Sequence, residues 1–202
     1  TAAKQDTGRM SQPIFTTRTL VLMATGIALN MALGQLAELL KLPIFLDSLG
    51  TMLVAVLCGP WIGGLTGLVT NLLWGLIQGP TAAFFAPVAA IIGVAAGLLA
   101  RPGLFRTPWG AAIAGALIAM ALAPVAVPIR IYLFGGVTGS GADFLTAYLA
   151  KVGQDLFSSV LVTVITSNLA DKIVTALLVW VIIRGLPQRA VGDWPYLAHS
   201  RG

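Results

Sequence analysis

The chain has 202 residues, of which 57% are hydrophobic and only 9% are charged, and its formal net charge is +5. Soluble domains carry roughly 25% charged residues, so this composition excludes an ordinary soluble domain and predicts an integral membrane protein. Once the apolar runs are counted, too few residues are left for a separate soluble domain, and we expect a single membrane domain over 18–187.

Motifs that carry covalent or metal chemistry are scarce in this sequence. There is no Walker-type glycine loop, His199 is the only histidine, and Cys58 is the only cysteine. No nucleophile with an adjacent base and no pair of acids stands out. The sequence therefore predicts a protein that is not an enzyme, with no cofactor, no metal centre and no nucleic-acid partner.

Hydrophobic runs predict six helices that span the lipid bilayer. A spanning helix needs about 20 apolar residues, and shorter helices are tolerated where other parts of the protein cover them. A polar lead-in at 1–17 precedes the first helix. The predicted spans are 18–40, 47–58, 61–78, 83–100, 109–134 and 169–186. The second and third form a hairpin joined by Cys58-Gly59-Pro60.

The segment 142–167 has two interpretations, because it is apolar but interrupted by Lys151, Gln154 and Asp155. It could be a seventh span or a partly re-entrant cap. Lysine and arginine concentrate on the cytoplasmic side of membrane proteins, and six spans bring eight of the twelve basic residues to one face. We therefore predict an all-α integral membrane protein, a compact six-helix bundle with a partly re-entrant outer cap. Both termini, including the tail 188–202, would then be cytoplasmic.

Polar residues collect at the predicted outer end of the bundle. Charge and irregular backbone at membrane depth persist only around a cavity lined by protein or water, so we expect a substrate pocket there. The candidate ligand-binding residues are Asp47, Asn71, Trp74, Gln78, Arg130, Tyr132, Tyr148, Asn168 and Lys172.

Two candidates in the hairpin also have structural interpretations. Asp47 precedes the second helix, where a carboxylate caps exposed amides and opposes the helix dipole. Asn71 and Trp74 are three residues apart on one face, where they could hydrogen-bond and stack on a planar ring. Alternatively, Trp74 could anchor the protein among lipid headgroups.

The charged candidates later in the chain need partners. Arg130 follows two prolines, where a kink would widen the bundle, and it could pair with Asp143, with Asp155 or with an anionic group of the ligand. Asp171 and Lys172 come near the predicted start of the last helix, where they could instead be a solvated helix end.

Small residues draw stripes along two predicted helices. The first helix carries Ala24, Ala28 and Ala32, and the third carries Gly63, Gly64 and Gly67. Such stripes let another helix approach closely in lipid. The alanine stripe could receive a helix of a partner or of this protein itself, and for the glycine stripe we favour packing within the protein. Cys58 could ligate a metal such as the cobalt of a corrinoid, or it could be a small buried residue at the cytoplasmic turn.

Three segments together resemble one family of membrane proteins. They are the alanine stripe, the hairpin LDSLGTMLVAVLCGPWIGGLTGLVTNLLWGL at 46–76, and SNLADKIVTALLVWVIIRGLP at 167–187. In this order and spacing they resemble the S components, the membrane substrate-binding subunits of energy-coupling-factor (ECF) vitamin transporters, particularly the riboflavin type. Asn168 and Lys172 are four residues apart, whereas riboflavin-type members usually have three, so the resemblance leaves the vitamin open.

The resemblance implies a function and a set of partners. Such a protein would bind a vitamin with high affinity at the outer face of the bacterial cytoplasmic membrane. It would deliver the vitamin inward with a transmembrane coupling subunit, docked on the alanine stripe, and two cytoplasmic ATPases. Two alternatives use the same fold: a solitary carrier, for example of cobalamin, and an intramembrane sensor that reports its ligand to a partner.

Overall fold

The computed structural model of the protein describes residues 15–187, Trp194 and Tyr196. The described residues form helices and no strands, which confirms the prediction of an all-α protein. Most of the predicted lead-in and of the predicted tail lie outside the described residues. The α-helices are α1 (Thr17–Leu39), α2 (Leu49–Cys58), α3 (Pro60–Gln78), α4 (Thr81–Phe84), α5 (Ala86–Ala100), α6 (Pro108–Pro128), α7 (Asp143–Lys151) and α8 (Leu156–Gly185). A 3₁₀ turn at Leu104–Arg106 precedes α6, and a π-helical stretch at Ile129–Leu133 extends it.

Four helical segments are long and apolar enough to cross a membrane. They are Thr17–Leu39, Pro60–Gln78, Pro108–Leu133 and Leu156–Gly185. The apolar helices α2 and α5 have 10 and 15 residues, which correspond to lengths of about 15 and 22 Å against a hydrocarbon core of about 30 Å. The six predicted spans therefore correspond in order to six apolar helices, of which four have full spanning length.

The end of the chain differs from the prediction, because α8 begins at Leu156 and runs without a break to Gly185. Asp155 caps it: its carboxylate accepts a hydrogen bond from the Ser158 amide at 3.0 Å, which lowers the pKa of Asp155. The predicted start of the last span at 169 is therefore wrong, and only α7 and the loops around it are separate from that helix. The polar residues after 166 do not end the helix, because they face the protein interior.

The α2–α3 hairpin turns at Gly59, as the sequence predicts. Gly59 has a φ of +98°, a conformation that residues with a side chain rarely adopt, and Pro60 occupies the first turn of α3, where its missing N–H costs nothing. The glycine stripe of α3 faces α5: a Cβ atom on Gly67 would collide with the Ala89 carbonyl, and one on Gly93 with the backbone of Gly63. The predicted internal packing of this stripe is confirmed.

Asn30 joins the first three helices at a fully buried position. Its Oδ1 accepts hydrogen bonds from the backbone N–H groups of Gly50 (2.7 Å) and Thr51 (3.3 Å). Its Nδ2 donates to the hydroxyls of Thr51 (2.8 Å) and Thr70 (3.2 Å). The first amides of α2 are therefore capped from α1, and the capping role considered for Asp47 is wrong.

Helix α1 has two faces lined by small residues. Gly26, Asn30 and Gly34 are buried against the rest of the bundle, and Ala24, Ala28 and Ala32 are exposed on another side. Within the described protein, the alanine stripe is therefore not used to pack helices together.

Candidate functional site

A cavity of about 260 Å³ opens at the end of the bundle where α1 and α3 end and α5 begins. Its wall is formed by the ends of these helices, the segment 42–48, the loop 138–141, the end of α6 and the middle of α8. Seven of the nine predicted ligand-binding residues line it: Asp47, Asn71, Trp74, Gln78, Arg130, Asn168 and Lys172. The structure thus brings together side chains separated by up to 125 positions in the sequence.

Tyr132 and Tyr148 do not line this cavity. Their exposed fractions are 84% and 62%, and each follows a buried residue by two positions, Arg130 and Thr146 respectively. Residues two apart on a helix point to different sides, so a tyrosine beside an inward-facing residue faces outward. A position near the predicted outer end is therefore not sufficient to identify a wall residue, and these two tyrosines are not part of the candidate site.

Lys172 is the centre of a buried charge cluster. Its ammonium lies 2.5 Å from Asp171 Oδ2, 2.8 Å from Ser48 Oγ and 3.5 Å from Asp47 Oδ1. Lys172 and Asp171 are 1% and 0% exposed, so the interpretation of these two residues as a solvated helix end is wrong. A buried ammonium persists only when it is paired and hydrogen-bonded, and this one uses all three of its N–H groups.

Asp171 also holds the segment that leads into α2. Its Oδ1 accepts hydrogen bonds from the backbone N–H groups of Phe45 (3.0 Å) and Leu46 (2.8 Å). Leu46 has a φ of +52°, an unfavourable conformation for a residue with a branched side chain. The buried carboxylate stabilises this conformation, and the segment that carries Asp47 and Ser48 is thereby fixed over the cavity.

Arg130 has its partner within the protein. Its guanidinium forms an ion pair with Asp143, and its Nε donates to the Gly136 carbonyl at 3.0 Å. Asp143 in turn accepts a hydrogen bond from the Thr138 amide at 2.9 Å. The first of the three partners considered for Arg130 is therefore the one observed, and the pair holds the loop that forms one wall of the cavity.

Two carboxamides present free oxygens to the cavity. Asn71 donates from Nδ2 to the Ala82 carbonyl (3.2 Å), and Asn168 donates from Nδ2 to the Val164 carbonyl (2.9 Å). Among the described residues no group donates to either Oδ1, although both side chains are more than nine-tenths buried. These bonds orient the amides so that each oxygen can accept a hydrogen bond from a ligand.

Aromatic rings form part of the wall. Trp74 is 8% exposed and packs directly over Gly34, where a Cβ atom would collide with the indole. This buried position does not fit an anchor among lipid headgroups. Phe85 also lines the cavity and stacks on Phe134, with ring centroids 5.9 Å apart. Gln78 donates a hydrogen bond to Gln35 across α1 and α3.

Ser48, Phe85 and Asp171 were not identified as site residues from the sequence. For Asp171 a signal exists: it follows Asn168 by three positions, as Lys172 does by four, and both spacings make residues neighbours on a helix surface. Ser48 and Phe85 carry no such pattern. Their positions depend on contacts between segments far apart in the chain.

Cys58 is remote from the cavity lining. It is the half-buried last residue of α2, eleven positions after Asp47. Among the described residues no group of three or more His, Cys, Asp or Glu side chains could hold a metal ion. The geometry therefore provides no ligand set for the cobalt role considered for this thiol.

Comparison with known proteins identifies one family. The family model for the ECF transporter, substrate-specific component, matches residues 18–183. Searches of curated proteins and of solved structures gave no match. The matched range includes every residue of the cavity lining and all six apolar helices except the first residue of α1 and the last two of α8. The protein therefore belongs to the family of ECF transporter substrate-specific components.

Proposed function

We propose that the protein is a membrane-embedded, high-affinity binding subunit for a vitamin or related micronutrient in an ECF-type importer. It captures its ligand at the outer face of the membrane and delivers it inward with a coupling subunit and two ATPases. The observation that carries this proposal is a cavity with charged, amide and aromatic side chains in its wall, at one end of an apolar helical bundle, in a chain of this family. Membership of this family supports a coupling subunit and ATPases as the kind of partner.

The ligand contacts in this proposal come from two groups of residues. Asn71, Asn168 and Gln78 supply hydrogen-bonding groups, and Trp74 supplies a ring for stacking. Asp47 and Lys172 supply charge at the end of the segment 42–48 and in the middle of α8. Arg130 supports the wall, because its ion pair with Asp143 holds the loop 138–141 in place.

The size of the cavity supports a small ligand. Its volume of about 260 Å³ is just below the roughly 300–1,000 Å³ typical of ligand pockets. A corrinoid is far larger than this space, and Cys58 is not part of the lining. These two observations favour a small vitamin over the solitary cobalamin carrier.

Charge asymmetry supports an outward-facing cavity. The end of the bundle opposite the cavity carries Arg18, Arg101, Arg106 and Arg184. Basic residues concentrate on the cytoplasmic side. Trp61 and Trp109, at the first turns of α3 and α6, are 76% and 81% exposed near the same end, as expected for tryptophans at a membrane interface.

The first experiment identifies the ligand. The full chain is purified in detergent from cells grown in rich medium, and any bound small molecule is identified by mass spectrometry. The same compound is then added to ligand-free protein, where it should raise the unfolding temperature because it binds the folded state. A screen of all water-soluble vitamins that gave no stabilisation would contradict the proposal.

The second experiment tests docking at the exposed alanine stripe. Ala28→Leu adds bulk where a partner helix would approach closely, so it should leave ligand affinity unchanged and reduce vitamin uptake at least several-fold. Ala121→Leu, at an exposed position of α6, is the matched control and should leave both unchanged. Equal uptake in the two variants would contradict docking at this stripe.

Uptake in cells that lack the coupling subunit separates the remaining alternatives. An ECF binding subunit should bind ligand but not transport it under these conditions. Continued uptake would favour a solitary carrier. Tight binding without uptake, even with the coupling subunit present, would favour a ligand sensor.

A further inference from the structure

Two carboxylates and two cations line the cavity, but each cation is also paired with a carboxylate outside the lining. Lys172 faces both Asp171 and Asp47, but the three groups are not equivalent. Asp171 is fully buried and all its close contacts are with N–H groups of the protein. Asp47 lies 3.5 Å from the ammonium, 32% of its side chain is exposed, and Lys172 is its one side-chain partner among the described residues. The single positive charge of Lys172 therefore faces two carboxylates, and the charge of Asp47 is the one that is not fully balanced.

A second carboxylate lines the mouth of the same cavity. Glu38, at the end of α1, is exposed, and its side chain makes no hydrogen bond or ion pair with any described residue. The other cationic lining residue, Arg130, has its charge balanced by Asp143. The carboxylates of Asp47 and Glu38 are thus the charges that remain for a ligand.

The uncharged groups of the wall also favour a cationic ligand over an anionic one. The free oxygens of Asn71 and Asn168 are acceptors, so they suit a ligand that donates hydrogen bonds. The rings of Trp74 and Phe85 suit a planar group, and the faces of aromatic rings attract cations. An anionic ligand would face two uncompensated carboxylates and two carbonyl oxygens, which is unfavourable at low dielectric.

We propose that the cavity selects a small aromatic organic cation, with Asp47 as its principal counter-ion and Glu38 at the entrance. This inference rests on the proposed function and specifies the substrate class of the same site. The aromatic wall favours an organic cation over a metal ion, and among the described residues no cluster of ligands suits a metal.

The test measures the unfolding temperature of the full chain, purified in detergent, with a panel of probes at constant pH. Thiamine and 1-methylnicotinamide are the cations, nicotinamide, pyridoxine and riboflavin the neutral probes, and nicotinate, pantothenate and biotin the anions. Nicotinamide, its methylated cation and nicotinate form a set of similar shape and different charge. The largest stabilisation should come from a cation.

Variants then test the counter-ion. Asp47→Asn should weaken binding of that cation on the order of 10- to 100-fold, as expected for losing a charge-assisted hydrogen bond. Glu38→Gln should have a smaller effect, because this side chain is exposed. Asp155→Asn removes the same charge at an exposed helix cap outside the cavity lining and should leave affinity unchanged. The unfolding temperature of the Asp47→Asn variant without ligand is measured as well, to verify that the variant folds. We expect it to fold, because Lys172 keeps its contacts with Asp171 and Ser48.

The outcomes distinguish this inference from the proposed function. If a neutral or anionic vitamin stabilises the protein most, or if Asp47→Asn binds the cation as tightly as the unmodified protein, the cation inference is overturned and the binding function stands. If no probe and no other water-soluble vitamin stabilises the protein, both are overturned.

Discussion

Three buried asparagines have different roles because their hydrogen bonds are satisfied to different extents. Asn30 makes four hydrogen bonds to α2 and α3, and no polar atom of its side chain is left over for a ligand. Asn71 and Asn168 each make one to a backbone carbonyl and present an oxygen to the cavity. Counting satisfied groups thus separates an asparagine that holds the fold from two that can bind a ligand.

A pair of substitutions tests this distinction. Asn30→Ala leaves the amides of Gly50 and Thr51 without an acceptor inside the protein, and we expect a loss of about 1–3 kcal/mol or more in folding stability. Asn71→Ala removes a hydrogen bond to the Ala82 carbonyl of the short helix α4 at the cavity wall, so it should lower ligand affinity more than stability. Thermal unfolding and ligand titration of both variants check this. A reversed order of effects would contradict the assignment.

At the scale of elements, α1 and α3 lie so close together that the indole of Trp74 on α3 fits only because residue 34 on α1 is a glycine. Gly34 supports Trp74, and a Cβ atom added to Gly34 would also lie 3.2 Å from the Cβ of Asp47. A residue of α1 that touches no ligand therefore determines where two wall residues lie. Helix spacing and cavity shape are coupled at this point.

Gly34→Ala should therefore affect the cavity directly. The added methyl group collides with Trp74, and overpacking of this kind costs about 1–3 kcal/mol, so ligand affinity should fall on the order of tenfold as the indole shifts. Gly185→Ala, at the end of α8, has nothing within 4 Å of the added atom and is the control. Unchanged binding in Gly34→Ala, measured by titration, would show that the indole position is not set by this glycine.

Helix positions were predictable from hydrophobic runs up to residue 134, because apolar length and turn residues such as Gly59 are local signals. The same approach failed at 142–172, where Asp171 and Lys172 were interpreted as a helix end. Their burial depends on partners at 45–48, which are more than 120 positions earlier. Such pairing is invisible in a local pattern, and the outward direction of Tyr132 and Tyr148 depends on helix register in the same way.

At the scale of the whole molecule, the net charge differs between the two ends, because the described carboxylates all lie at the cavity end, where Lys41, Arg130, Lys151 and Lys172 offset most of their charge. The cavity and its carboxylates are at one end of the bundle, and Arg18, Arg101, Arg106 and Arg184 are at the other. If positive charge marks the cytoplasmic side, the loop between α7 and α8 faces outward and the end of α8 faces inward.

Cysteine labelling checks this orientation. Cys58→Ala provides a background without other cysteines, and Lys151→Cys and Gly185→Cys each add one at an exposed position. A membrane-impermeant maleimide should label Lys151→Cys on intact cells and Gly185→Cys only after lysis. The opposite labelling would reverse the topology and place the cavity on the cytoplasmic side.

The position of Lys172 within α8 has a consequence for the length of the transport path. This residue lines the cavity and is 13 positions from the end of the helix at Gly185, a rise of about 20 Å. Against a hydrocarbon core of about 30 Å, a ligand held at Asn168 and Lys172 in an outward-facing cavity would therefore still lie about 20 Å from the inner end of this helix. In the proposed importer, binding would cover only the shorter part of the path, and the partners would have the longer remainder to open.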